Sequence, residues 1–78
     1  MTDAAHRAWE GAARLAELVG SETKIADDPE GIRITVRLRP EAPDANHREV
    51  LDVLRAADRF GHRRAADGTE HLWALYRA

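Results

Sequence analysis

Apolar and polar residues alternate one for one along residues 31–40, GIRITVRLRP. Ile32, Ile34, Val36 and Leu38 fall on one side, and Arg33, Thr35, Arg37 and Arg39 on the other. A period of two marks a half-buried strand, with one face in a core and the other open. The open positions of this strand are therefore mostly arginine. Residues 4–19, AAHRAWEGAARLAELV, follow the helical period instead. Ala8, Ala12, Leu15, Leu18 and Val19 share one side, and Trp9 lies beside that stripe with Ala5, Ala13 and Ala16. Thr2 or Asp3 can cap the helix and Gly20 can end it. Gly11 either weakens it or admits a close approach by another backbone.

The segment 21–39 predicts a β-hairpin turning through DDPEG, Asp27 to Gly31. Setting Ala26 opposite Gly31 pairs Ile25 with Ile32 and Thr23 with Ile34. The same register sets Lys24 against Arg33 and Glu22 against Thr35 on the open face, and the first of these is an unfavourable like-charge pair. Pro40 and Pro43 stop the strand. Residues 45–59 predict a second helix. Asn46 with Glu49 forms a capping box, Ala45 with Val50 a small staple, and Asp44 is a competing cap. Its stripe is Val50, Val53, Leu54 and Ala57, flanked by Leu51, and Phe60 and Gly61 close it. Residues 61–77 predict a second hairpin, in which Asp67-Gly68 favours a type I′ turn. That register pairs Arg64 with His71, Arg63 with Leu72 and His62 with Trp73.

The predicted order is α-β-β-α-β-β within one small domain, residues 1–78. Its fold class is α+β: a two-layer sandwich with two helices on one face of a four-stranded antiparallel sheet. A circularly permuted ferredoxin-like fold has the same element order, an analogy that carries no function. The two α-β-β halves also align loosely, at the spacing expected of a repeated unit.

In the last strand, HLWALYR, both alternate sets are apolar. Trp73 and Leu75 carry more bulk than Leu72 and Tyr76, so the first pair is assigned to the core with Phe60. Leu72 and Tyr76 then share the open face with the arginines. The reverse choice would expose Trp73, Leu75, His62 and His71. Either way the open face mixes arginine with apolar surface, a composition enriched at protein interfaces. The candidate binding residues are Arg33, Arg37, Arg39, Arg63, Leu72 and Tyr76.

Size and composition sharpen this picture. A chain of 78 residues with one Phe, one Tyr and two Trp buries a small core, and much of its 44% hydrophobic content is alanine. With no cysteine, neither a disulfide nor a thiolate metal site reinforces it. Self-association would bury more surface, so a homodimer or another protein is the expected partner. The net charge of −2 lacks the basic excess of a general nucleic-acid binder. Lys24 is the one lysine among twelve basic residues, a mark of GC-rich, bacterial-type coding or of guanidinium recognition. No apolar run is long enough for a membrane span, and MTDAAHRAWEGAARLA lacks the layout of a signal peptide. The expected location is cytoplasmic.

The chemistry of catalysis is not legible. His6, His47, His62 and His71 form no HExxH, and a His62–His71 metal pair lacks a third ligand. Ser21 has no nucleophile-elbow context, and Asp27, Asp28 and Glu30 have the look of a turn, without the spacing of a Ca²⁺ loop. No cofactor is implied. The expected function is a non-catalytic protein-interaction or regulatory module, homodimeric through the open sheet face. The alternative is a nucleic-acid binder. Either the second helix and the Asp67-Gly68 hairpin act as a winged helix, or the sheet binds single-stranded RNA.

Overall fold

The computed structural model describes residues 3–38 and 47–77. Arg39, the prolines at 40 and 43, and the proposed cap and staple residues Thr2, Asp44, Ala45 and Asn46 lie outside them. The order is α1 (Asp3–Val19), β1 (Thr23–Asp28), β2 (Gly31–Leu38), α2 (His47–Arg55), β3 (Arg59–Arg64) and β4 (Glu70–Arg77). The four strands form one antiparallel sheet in the order β1-β2-β4-β3. The α+β class and its element order are thus those the periodicity predicts. Each α-β-β half contributes an outer strand and then an inner one, so β2 and β4 meet at the centre. Moving β4 to the front of the chain would give the β-α-β-β-α-β order of ferredoxin-like folds.

The core is built from small residues on α1. Ala4, Ala8, Ala12, Leu15 and Val19 pack on Ile34 and Val36 of β2, Ala74 and Tyr76 of β4, and Leu54 of α2. Ile32, Leu38, Val50, Val53, Ala57 and Leu72 complete it at partial burial. Among the described residues, no helix is long and apolar enough to cross a membrane.

Four expectations are corrected. The first hairpin pairs Asp28 with Gly31 and Ile25 with Ile34, a shift of two residues. The turn is the tighter Pro29-Glu30, in which the Asp28 carboxylate accepts the Glu30 N–H at 3.0 Å. Lys24 consequently faces Thr35, and Arg33 faces Ala26, so the like-charge pair does not form.

The second correction is the length of α2. It ends at Arg55, and Arg59 and Phe60 open β3 instead of closing the helix. Backbone bonds from Ala57 N to Leu54 O and from Asp58 N to Leu75 O turn the chain into the sheet.

The third concerns the second hairpin. Its register pairs Gly61 with Trp73, His62 with Leu72 and Arg63 with His71, one residue from the predicted one. Type I′ needs positive φ at Asp67, and among the described residues only glycines have it. The loop is instead Ala66-Asp67-Gly68. Gly68 N bonds Ala65 O at 3.0 Å, Ala65 N bonds Thr69 O at 2.8 Å, and Gly68 sits at φ 90°. This is the three-residue loop in which a turn is followed by a left-handed glycine.

The fourth correction is the buried face of β4. Ala74 and Tyr76, with Leu72, face the helices, so Leu72 and Tyr76 are not open-face residues. A helix whose contact stripe is alanine and glycine sits close to the sheet, and the space beneath takes Ala74 rather than an indole. Tyr76 fits because Gly11 stands over its hydroxyl, where any Cβ would collide. Burial pushes the Tyr76 phenol above its ordinary pKa. Phe60, placed in the core by the sequence, lies on the helix side of edge strand β3 at 42% exposure.

Candidate functional site

The open sheet face is set out by the strand registers. Successive cross-strand rows through β2, β4 and β3 are Arg33–Leu75–Arg59, then Thr35–Trp73–Gly61, then Arg37–His71–Arg63. β1 adds Lys24, Ala26 and Asp28, and β4 adds Arg77 opposite Gly31. Six basic side chains (Lys24, Arg33, Arg37, Arg59, Arg63, Arg77) therefore face one carboxylate, Asp28, within these strands. A chain of net charge −2 thus concentrates positive charge on one face.

The face has two halves. In one half the arginines are structural. Leu75 is 2% exposed yet lies outside the core cluster, on the side away from the helices. Its cross-strand neighbours are Arg33 and Arg59. Arginine stems bury apolar surface while their heads stay at the water boundary, and here they cover Leu75. The heads meet acids from the first turn: Arg33 Nε lies 3.4 Å from Asp28, and Arg59 and Arg77 lie 3.8 and 3.7 Å from Glu30. Arg33 also stacks on Trp73, its guanidinium 4.7 Å from the ring centroid. The indole in turn lies against Gly61, where a Cβ would come within 2.7 Å of it. Arg33 Nε is buried without a hydrogen bond, since its contact with Asp28 lacks hydrogen-bonding geometry.

The other half is the row Arg37–His71–Arg63. Among the described residues, no carboxylate lies within ion-pair distance of Arg37, Arg63 or Lys24. Arg37 and Arg63 flank His71 from the two neighbouring strands, and their like charges repel across it. The Asp67 carboxylate acts on Arg37 through space without reaching ion-pair distance, so the row is only partly compensated among the described residues, and an anionic partner would complete it.

Of the residues singled out in the sequence, Arg33, Arg37 and Arg63 share this face, while Leu72 and Tyr76 belong to the other. Trp73, His71, Arg59 and Arg77 were missed as members of it. Trp73 and His71 are the set that the reverse assignment of β4 exposes, but His62 is not with them. It pairs with Leu72 on the helix side and contacts Glu70 at 2.7 Å. The hairpin is also no free wing, because β4 pairs with β2 on its other edge.

A second concavity, a cleft of about 330 Å³, lies between the helices and is lined by Arg7, Gly11, Arg14, Val53 and Tyr76. Its end is closed by Arg7, which donates to Ala56 O at 2.7 Å and lies 3.3 Å from Asp58. No group of three or more metal-ligating side chains occurs among the described residues. No family model, curated protein or solved structure matches the chain.

Proposed function

We propose that this protein is a non-catalytic interaction module whose open sheet face binds an acidic protein segment. The observation that carries this reading is the row Arg37–His71–Arg63 across three strands, whose arginines have no ion-paired carboxylate among the described residues. Rigid strands hold its side chains side by side, so an Asp/Glu-rich segment lying across the sheet would meet several cations at once. Guanidinium groups favour this because they bind carboxylates in a planar, two-bonded geometry. The same charge argues against the face pairing with a second copy of itself, since two like-charged rows would oppose each other.

A second reading, single-stranded nucleic acid, is favoured by Trp73 beside this row. A base stacking there would have to compete with Arg33 for the ring, and this places the acidic segment first.

The test is a titration of the protein with a polyglutamate peptide and with a single-stranded RNA of equal charge, at low and moderate salt. Arg37→Glu with Arg63→Glu should remove polyglutamate binding and leave the circular dichroism spectrum unchanged. RNA binding tighter than polyglutamate, with a steep salt slope, would transfer the face to the second reading. No binding of either probe at low salt would end both.

A further inference from the structure

We infer that a second copy of this chain docks on the free edge of β1, joining two sheets into one of eight strands, with Trp9 and Ile25 at the seam. Among the described residues the sheet has two free edges, β1 and β3. A free edge is a template for pairing unless charge or shape blocks it. β3, RFGHRR, carries Arg59, Arg63 and Arg64, so two copies of it repel. β1, TKIADD, carries both signs.

That distribution is self-complementary. An antiparallel pairing about a two-fold axis at Ala26 sets Lys24 of each copy opposite Asp28 of the other. Both lie on the open face, so the two ion pairs form on one side of the joined sheet. Lys24 has no carboxylate in reach among the described residues of its own chain.

On the helix side of the same edge Ile25 lies between Thr23 and Asp27, and the same register sets Ile25 of each copy opposite Asp27 of the other. The Thr23 hydroxyl donates to Ala12 O at 3.0 Å, which fixes the start of β1 beneath the middle of α1. From there the strand runs back along the helix. Ile25 lies two residues on, about 6–7 Å, and Trp9 is about 4.5 Å back along α1 from Ala12, so both come to the same level. Trp9 falls on the flank of α1 away from the cleft residues Arg7 and Arg14, hence on the β1 side. It is 67% exposed and Ile25 is 36% exposed, the exposed large hydrophobic residues of α1 and β1. A two-fold axis perpendicular to the sheet keeps both helix layers on one side, so the two Trp9 rings flank one seam. The two basic faces then lie side by side on the opposite surface.

The test is sedimentation of the full chain across a wide concentration range, with circular dichroism as the folding check. The wild type should sediment as a dimer. Ile25→Asp should be folded and monomeric, because it faces Asp27 of the other copy, and Trp9→Gln should weaken the dimer by about tenfold or more. Lys24→Asp and Asp28→Lys should each fail to self-associate and should pair with each other when mixed, because each supplies the charge the other lacks. If Asp28→Lys does not fold, Ile25→Asp decides alone. Arg37→Glu with Arg63→Glu should keep the dimer, which separates this inference from the open-face reading. A wild type that is monomeric throughout, or an Ile25→Asp variant that stays dimeric, overturns it.

Discussion

Gly11 stands directly above the hydroxyl of Tyr76, at a point where any Cβ would overlap that oxygen. A glycine inside a helix costs about 0.5–1 kcal/mol relative to alanine. Gly11→Ala would ordinarily stabilise α1 by that amount. Here the added methyl must displace a buried tyrosine, and overpacking costs about 1–3 kcal/mol. Gly11→Ala is expected to lower stability, and Gly11→Ala with Tyr76→Phe to recover part of the loss. Chemical denaturation of both variants checks this. A stabilised single variant would show that the helix can move away from β4.

The second hairpin yields a contrast between neighbouring residues. Gly68 has open space around it and a φ of 90°, so substitution there costs backbone strain alone, about 1–2 kcal/mol for Gly68→Val. The Asp67 carboxylate accepts the Thr69 N–H at 2.9 Å. Asp67→Ala should therefore cost about 0.5–1.5 kcal/mol, and Asp67→Gly should bring no benefit, since the loop needs no positive φ at that position. Thermal melts of the three variants check the ranking. A stabilised Asp67→Gly would mean that the loop is the two-residue type I′ turn after all.

What the sequence conveys about this fold depends on which signals compete. Ile32, Ile34, Val36 and Leu38 have one polar partner set, so their buried face is unambiguous, and Arg33 and Arg37 follow to the other side. β4 offers two apolar sets, and summed bulk favours Trp73 and Leu75. The deciding fact is the closeness of α1, which only the packing of Ala8, Gly11 and Ala12 on Ala74 and Tyr76 reveals. The hairpin registers fail for a local reason. DDPEG and AADGT each admit turns of different length, and a one-residue difference in the second pairs His62 with Leu72 instead of Trp73. Gly61 opposite Trp73 was the available clue, because a glycine in a strand often marks a close approach by a neighbour.

Asp58 links stability to pH. Its carboxylate accepts the Arg77 N–H at 2.7 Å and lies 3.3 Å from Arg7. The Arg77 backbone bond above all, helped by the Arg7 charge, holds its pKa below the ordinary carboxylate value. A folded pKa below the unfolded one adds stability that is fully present above the unfolded value, about 4. That stability is lost as pH falls through the folded value. Asp67 titrates in the same direction, its carboxylate held down by the Thr69 side chain and N–H. Asp58→Asn should therefore be less stable than the wild type at neutral pH, with the difference shrinking below about pH 4. Denaturant midpoints measured across that range check it. A difference that stays constant to low pH would show that the Asp58 charge contributes nothing.

Arg33 and Arg37 are two positions apart on one strand face and should behave differently. Arg33 stacks on Trp73 and covers Leu75, so its removal exposes apolar surface as well as leaving Asp28 without its contact. Arg33→Ala is expected to cost about 1–2 kcal/mol in stability, chiefly through lost packing. Arg33→Lys should recover little of it, because an ammonium does not stack as a planar guanidinium does. Arg37 has no ion-paired carboxylate among the described residues, and Arg37→Ala should change stability by no more than about 0.5 kcal/mol. Removing one of the two like charges that flank His71 can even stabilise the sheet. Binding should show the opposite order, with Arg37→Ala weakening polyglutamate association more than Arg33→Ala does. Denaturation and titration of the same two variants give both readings. Equal losses of stability would place Arg37 in the structural half of the face, and the row would then have no claim to be a binding site.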